Sequence, residues 1–166
     1  MVIVRNATEN DAQQIVDIYA YYVANSLATL DNKAFAVSDI LDNIKNRDVP
    51  FLVAFEDDKV IGYAYAFSYR KREGYKYTLE ESIYVKDGHH GKGVGKKLLD
   101  CLIMKLKELN YKQLLAVITL KSGSDESEAP SILLHKACGF RKVGQLVNVG
   151  YKFDEWIDTV LMQRSI

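Results

Sequence analysis

The chain has 166 residues, with 22 Lys plus Arg balanced by 22 Asp plus Glu for a formal net charge of zero. That length allows one domain, here 1–166, to bury a full core without metals or disulfides. The charge balance argues against a nucleic-acid binder, which carries a basic excess, and no apolar run reaches membrane-spanning length, so a cytoplasmic protein is expected.

Val2 to Arg5 reads as a first strand, and Thr8-Glu9-Asn10-Asp11 as a capping-box-like start to a helix. The helix keeps an apolar stripe from Ala12 through Ile15, Ile18 and Tyr22 to about residue 25. Ser26 to Ala36 is irregular and is expected to help roof a pocket. Ser38 is the predicted N-cap of a second helix that buries Ile40, Leu41 and Ile44. Phe51 to Phe55 and Val60 to Phe67, joined by Asp57-Asp58-Lys59, read as a hairpin. A charged, aromatic connector from Tyr69 to Lys76 leads to a strand over Thr78 to Val85.

Strand 78–85 runs into a glycine-spaced turn, His90-Gly91-Lys92-Gly93-Val94-Gly95. A helix follows, with Leu98, Leu99, Leu102, Leu106 and Leu109 at three- and four-residue spacing. A strand, a glycine loop and a helix N-terminus present free backbone N–H groups to a phosphate. Gln113 to Thr119 is a further strand, and Lys121 to Ala129 a polar loop. Pro130 to Cys138 forms a short helix stopped by Gly139. Phe140 to Val149 and Glu155 to Met162 close the chain as strands. Cys101 and Cys138 show no metal-ligand spacing and read as reduced core residues; no metal site is expected. The fold class is α+β, a mixed sheet of about seven strands flanked by about four helices.

The loop HHGKGVG opening a helix and the later SILLHKACGF resemble the GNAT superfamily of acetyl-CoA-dependent N-acetyltransferases. Three further patterns are similar to its phosphinothricin N-acetyltransferase-like family. They are the connector Tyr69-Arg70-Lys71-Arg72 with Tyr75 and Tyr77, Glu80 four residues before Tyr84, and Gly150-Tyr151-Lys152 through Trp156 and Asp158. The likeness runs from Ile3 to Gln163. It departs at His90, where Gln or Arg is usual, and at Glu128, where Asn is usual. It departs again at Thr29-Leu30, where Asn-Phe is favoured.

The resemblance implies the GNAT fold, acetyl-CoA as cosubstrate, a small amine as acceptor and a homodimer. It implies that His90, Gly91, Lys92, Gly93, Val94, Gly95 and Lys96 hold the pyrophosphate. Ile83, Tyr84 and Val85 would pair their backbone with the pantetheine arm like an added strand, and Ser131 would bond CoA. Glu80 would be the general base that takes the ammonium proton, help typically worth about two to four orders of magnitude. Strand alternation turns the neighbouring Glu81 to the opposite face. His135 would protonate the departing thiolate. Arg70 and Arg72 would hold the acceptor's carboxylate, with Tyr75 as a pocket wall. For several of these residues a plainer role stays open: core packing for the strand, a solvated face for the lysines and arginines, a carbonyl-bonded helix histidine for His135. Trp156 and Asp158 read as structural or dimer-facing.

The activity implied is acetyl transfer to the α-amino group of a small amino acid or analogue such as phosphinothricin, methionine sulfone or methionine sulfoximine. A protein N-terminus or lysine acetyltransferase and a non-catalytic acetyl-CoA sensor are the rival readings.

Overall fold

The computed structural model describes residues 1–45 and 48–166, with Glu128 described by its backbone alone. Seven strands form one sheet in the order β1-β2-β3-β4-β5-β7-β6. They are β1 (Ile3–Asn6), β2 (Phe51–Glu56), β3 (Lys59–Ser68), β4 (Thr78–Val85), β5 (Gln113–Lys121), β6 (Arg141–Lys152) and β7 (Glu155–Ser165). Among the described residues four α-helices cover it: α1 (Ala12–Asn25), α2 (Val37–Lys45), α3 (Val94–Glu108) and α4 (Pro130–Ala137). All strand pairs are antiparallel except β4 with β5.

Local chemistry explains the element ends. Asp11 Oδ2 accepts the Thr8 N–H at 2.7 Å and Asp11 is gripped by Arg5 from β1 at 2.7 and 2.9 Å, which anchors the entry to α1. Asp57 and Asp58 both take positive φ, +49° and +59°, the left-handed pair that a two-residue hairpin turn requires. The second helix begins at Val37 rather than after Ser38, because Asp39 Oδ2 accepts the Ala36 N–H at 2.8 Å. Leu109, placed on the buried stripe by spacing, is 49% exposed: α3 ends at Glu108 and the left-handed Asn110 (φ +65°) turns the chain away.

Two apolar cores sandwich the sheet. Leu98, Leu99, Leu102 and Leu106 of α3 pack with Leu52, Ala64, Leu79 and Leu114 on one face. Ile15, Ile18 and Tyr19 of α1 pack with Val53, Tyr63 and Ile40 on the other. Each fully buried leucine contributes about 1.5–3 kcal/mol.

The feature that makes a site is where pairing stops. The parallel ladder of β4 and β5 holds only over Thr78–Glu80 against Gln113–Leu115. From there β4 stays with β3 and β5 stays with β7, so the two parallel strands diverge into a cleft.

Candidate active site

A cavity of about 930 Å³ fills this cleft between the N-terminus of α3, the start of α4 and the end of α1. Among the sequence candidates, Ile83, Tyr84, Val85, His90, Gly91, Gly93, Val94, Gly95, Lys96, Ser131 and His135 line it. Lys92 is exposed beside it and donates from Nζ to the Gly88 carbonyl at 2.7 Å.

At the phosphate end, Gly93 is the N-cap of α3 with φ +79°. The first bond of the helix runs from the Lys97 N–H to the Gly93 carbonyl at 3.1 Å. The N–H groups of Val94, Gly95 and Lys96 therefore lie outside the helical ladder and point out of its positive end. Gly95 lets α4 come close: a Cβ there would stand 3.0 Å from Leu134 Cδ2. The Lys96 ammonium is paired with Asp100 at 2.5 Å.

Along β4, the Lys86 N–H bonds the Ile61 carbonyl of β3 at 2.9 Å. Backbone direction alternates along a strand, so Tyr84 also turns its main-chain groups to β3, while those of Ile83 and Val85 face the cleft. The Tyr22 hydroxyl donates to the Val85 carbonyl at 2.6 Å and so accepts from His90 Nε2 at 2.7 Å. This contact ties α1 to the glycine loop. Sequence reasoning missed it, since nothing in the local pattern links Tyr22 to a residue 68 positions on.

At the fork the two glutamates part. Glu80 lies opposite Phe67 of β3 and shares a sheet face with Ser82 and Tyr84, the face that α1 covers through Tyr19 and Tyr22. It is half-buried, and its carboxyl is pushed above the usual range first by burial and then by the charge of Glu81. It stands at the last residue of the β4–β5 ladder, outside the residues that line the cavity. Glu81 faces α4, lines the cavity and lies 2.8 Å from His135 Nε2. The alternation of β4 was legible, but the meeting of Glu81 with a histidine 54 residues later was not.

The connector candidates sit apart. Arg70, Arg72 and Tyr75 are exposed and do not line the cavity. Arg70 lies over the Tyr69 ring at 4.9 Å, and Tyr75 meets that ring edge-on at 5.6 Å. The roof comes from Ser26, Leu27 and Ala28. Lys152, Thr119 and Tyr19 hold that segment: Lys152 Nζ donates to the Ser26 and Thr29 carbonyls, Thr119 Oγ1 to the Leu27 carbonyl, and Tyr19 Oη lies 2.8 Å from Thr29 Oγ1. Asp158 is structural, accepting from Gln145 Nε2 at 3.0 Å and the Asn148 N–H at 2.9 Å. Trp156 is exposed and packs edge-on against Tyr151. Among the described residues no group of His, Cys, Asp and Glu is placed to hold a metal ion, and no helix is long and apolar enough to cross a membrane.

Residues 4–161 match the acetyltransferase (GNAT) domain family. The chain belongs to the GNAT acetyltransferases. It is 38% identical to a phosphinothricin N-acetyltransferase of Alcaligenes faecalis, over 98% of this chain and 82% of that protein. It is 33% identical to an L-methionine sulfoximine/L-methionine sulfone acetyltransferase of Salmonella typhimurium, over 98% and 94% respectively. The crystal structure of a GNAT superfamily phosphinothricin acetyltransferase from Sinorhizobium meliloti in complex with acetyl-CoA superposes with a TM-score of 0.90 at 34% identity, covering 99% of this chain and 88% of that one. In this GNAT enzyme the cleft has N–H groups outside the α3 ladder at one end, the edge of β4 that β5 leaves along the middle, and the buried Glu81–His135 pair at the fork.

Proposed function

We propose that this GNAT enzyme, acting as one domain over residues 1–166, moves the acetyl group of acetyl-CoA to the α-amino group of a small amino acid or analogue. Methionine sulfone, methionine sulfoximine and phosphinothricin are the acceptors of choice. The observation that carries this reading is the end of the β4–β5 ladder at Glu80, where a half-buried carboxylate with a raised pKa stands beside an open strand edge. The relatives named above act on small amino-acid analogues, which supports the acceptor class.

Acetyl-CoA supplies an activated acyl group whose thiolate is a good leaving group. The N–H groups of the Gly91–Lys96 segment hold its pyrophosphate, with His90 and Lys92 beside them and Ser131 as a further contact. Ile83 and Val85 pair with its amides, next to Tyr84. Glu80 takes the proton from the acceptor ammonium, and His135 returns one to the sulfur. Arg70 and Arg72 of the connector hold the acceptor's carboxylate, with Tyr75 as a wall of the acceptor site.

The reading includes a cytoplasmic homodimer. Leu146, Val147, Val149, Tyr151, Phe153 and Trp156 are each about half exposed or more on the β6–β7 hairpin, and β6 is the sheet edge. Exposed apolar side chains on an edge hairpin support a self-complementary interface.

The experiment is thiol release from acetyl-CoA against a panel of free amino acids and analogues. Saturable release with a carboxylate-bearing amine is expected. No release across the panel, with acetyl-CoA binding intact, would overturn the small-acceptor reading.

A further inference from the structure

Glu81 and His135 are buried together at the fork, 5% and 1% exposed. His135 Nδ1 lies 2.6 Å from the Ser131 carbonyl oxygen. A carbonyl only accepts, so Nδ1 carries a proton and donates it. The charge of the ring is then decided at Nε2, which faces Glu81 Oε1 across 2.8 Å. Phe140 packs edge-on against the ring at 5.0 Å and shields the pair. Glu81 Oε2 is buried with no hydrogen-bond partner among the described residues, so His135 is the partner that compensates this carboxylate.

Burial works against charge on the ring, but the hydrogen bond and charge of Glu81 together with the Ser131 carbonyl outweigh it and raise the pKa. From β4 the other carboxylate at the fork is Glu80, which points to the opposite face but still feels the charge of Glu81. Lys96 of α3 and Lys121 of β5 line the same cavity but are paired with Asp100 and Glu155.

We propose that Glu81 is a positioning residue for acetyl transfer: its hydrogen bond keeps His135 doubly protonated and oriented, and the Nε2 proton leaves that bond for the sulfur as the thiolate forms beside the pair. This rests on the acetyl-transfer reading above. In that step the carbon–sulfur bond breaks and its electron pair stays on sulfur. The Nε2–H bond breaks, an S–H bond forms, and His135 is left neutral with Nδ1–H still on the Ser131 carbonyl. Glu81 then faces a bare nitrogen lone pair, a repulsive arrangement that draws a proton back to the ring. The proton shed by the acceptor amine supplies it.

The test pairs nitrogen-15 NMR of the imidazoles with steady-state kinetics for wild type, Glu81→Gln and Glu81→Asp. His135 is one of 3 histidines, and His135→Gln assigns its signals. Both ring nitrogens of His135 are expected to stay protonated through neutral pH in the wild type. In Glu81→Gln the titration midpoint drops to the ordinary histidine range or below, kcat at neutral pH falls roughly tenfold or more, and both KM values stay put; Glu81→Asp restores part of each effect. A neutral His135 in the wild type at neutral pH, or a midpoint unmoved in Glu81→Gln, overturns the proposal. So does a shifted midpoint with unchanged kcat. The NMR arm reads the pair without turnover, so a failure of the acetyl-transfer reading shows separately, as wild type that releases no thiol.

Discussion

The ammonium of Lys152, at the end of β6, lies 2.8 Å from the carbonyl oxygen of Thr29, 123 residues earlier in the chain. The same nitrogen donates to Ser26 at 2.8 Å, so one nearly buried lysine spans the segment that roofs the cavity. Burial lowers its pKa, with the charge of Asp31 acting in the opposite sense.

Replacing Lys152 by Met keeps the stem packed but strips two carbonyls of their donor. Each buried unsatisfied group costs about 1–3 kcal/mol. Lys152→Met is expected to lower the melting temperature and to speed amide exchange through Leu27–Thr29, with the acceptor KM raised severalfold. Unchanged exchange in that segment would remove Lys152 from the positioning of the roof.

Glu80→Gln removes the proposed base while keeping its shape. Turnover is expected to fall at least about tenfold, with acetyl-CoA affinity by calorimetry nearly unchanged. Because burial and Glu81 raise the Glu80 pKa, the wild-type rate should fail on the acid side at a higher pH than an ordinary glutamate would give. A pH–rate profile of the wild type without that limb would take Glu80 out of the mechanism.

Gly93 holds φ +79° at the start of α3 with open space where a Cβ would go. The cost of Gly93→Ala is therefore conformational, about 1–2 kcal/mol, and it falls on the backbone that presents the free N–H groups. Weaker acetyl-CoA binding is expected, with the acceptor KM little changed. Equal loss of both would mean that the substitution unsettles the fold rather than the phosphate end.

The His135–Glu81 pair also couples stability to pH. The folded pKa of His135 is raised, so its contribution is fully present below the unfolded value of about 6.5 and is lost as pH rises through the folded one. Thermal melts of the wild type should decline from about pH 6.5 upward, before thiols titrate. Glu81→Gln should flatten that decline. A wild-type curve already flat over this interval would contradict an imidazolium held by Glu81.

By itself the sequence determined what neighbours in the chain can enforce. The alternation of Thr78 to Val85, the glycines that open α3, Pro130 at the start of α4 and the leucine spacing after Gly95 are all local, since period and turn chemistry act over a few residues. They were enough for the α+β class and for the strand–loop–helix unit that lines the cleft. Alternation even separated Glu80 from Glu81. Tertiary structure decided what those residues meet. The ladder of β4 and β5 stops at Glu80 while β4 stays paired with β3 and β5 with β7, and that parting opens the cavity. Glu81 finds His135 only because α4 folds over β4, and Lys152 finds Thr29 only because β6 returns to the far edge of the sheet. No period in the chain encodes these pairings. They follow from burying two apolar faces at once, which brings together polar groups that local pattern leaves apart.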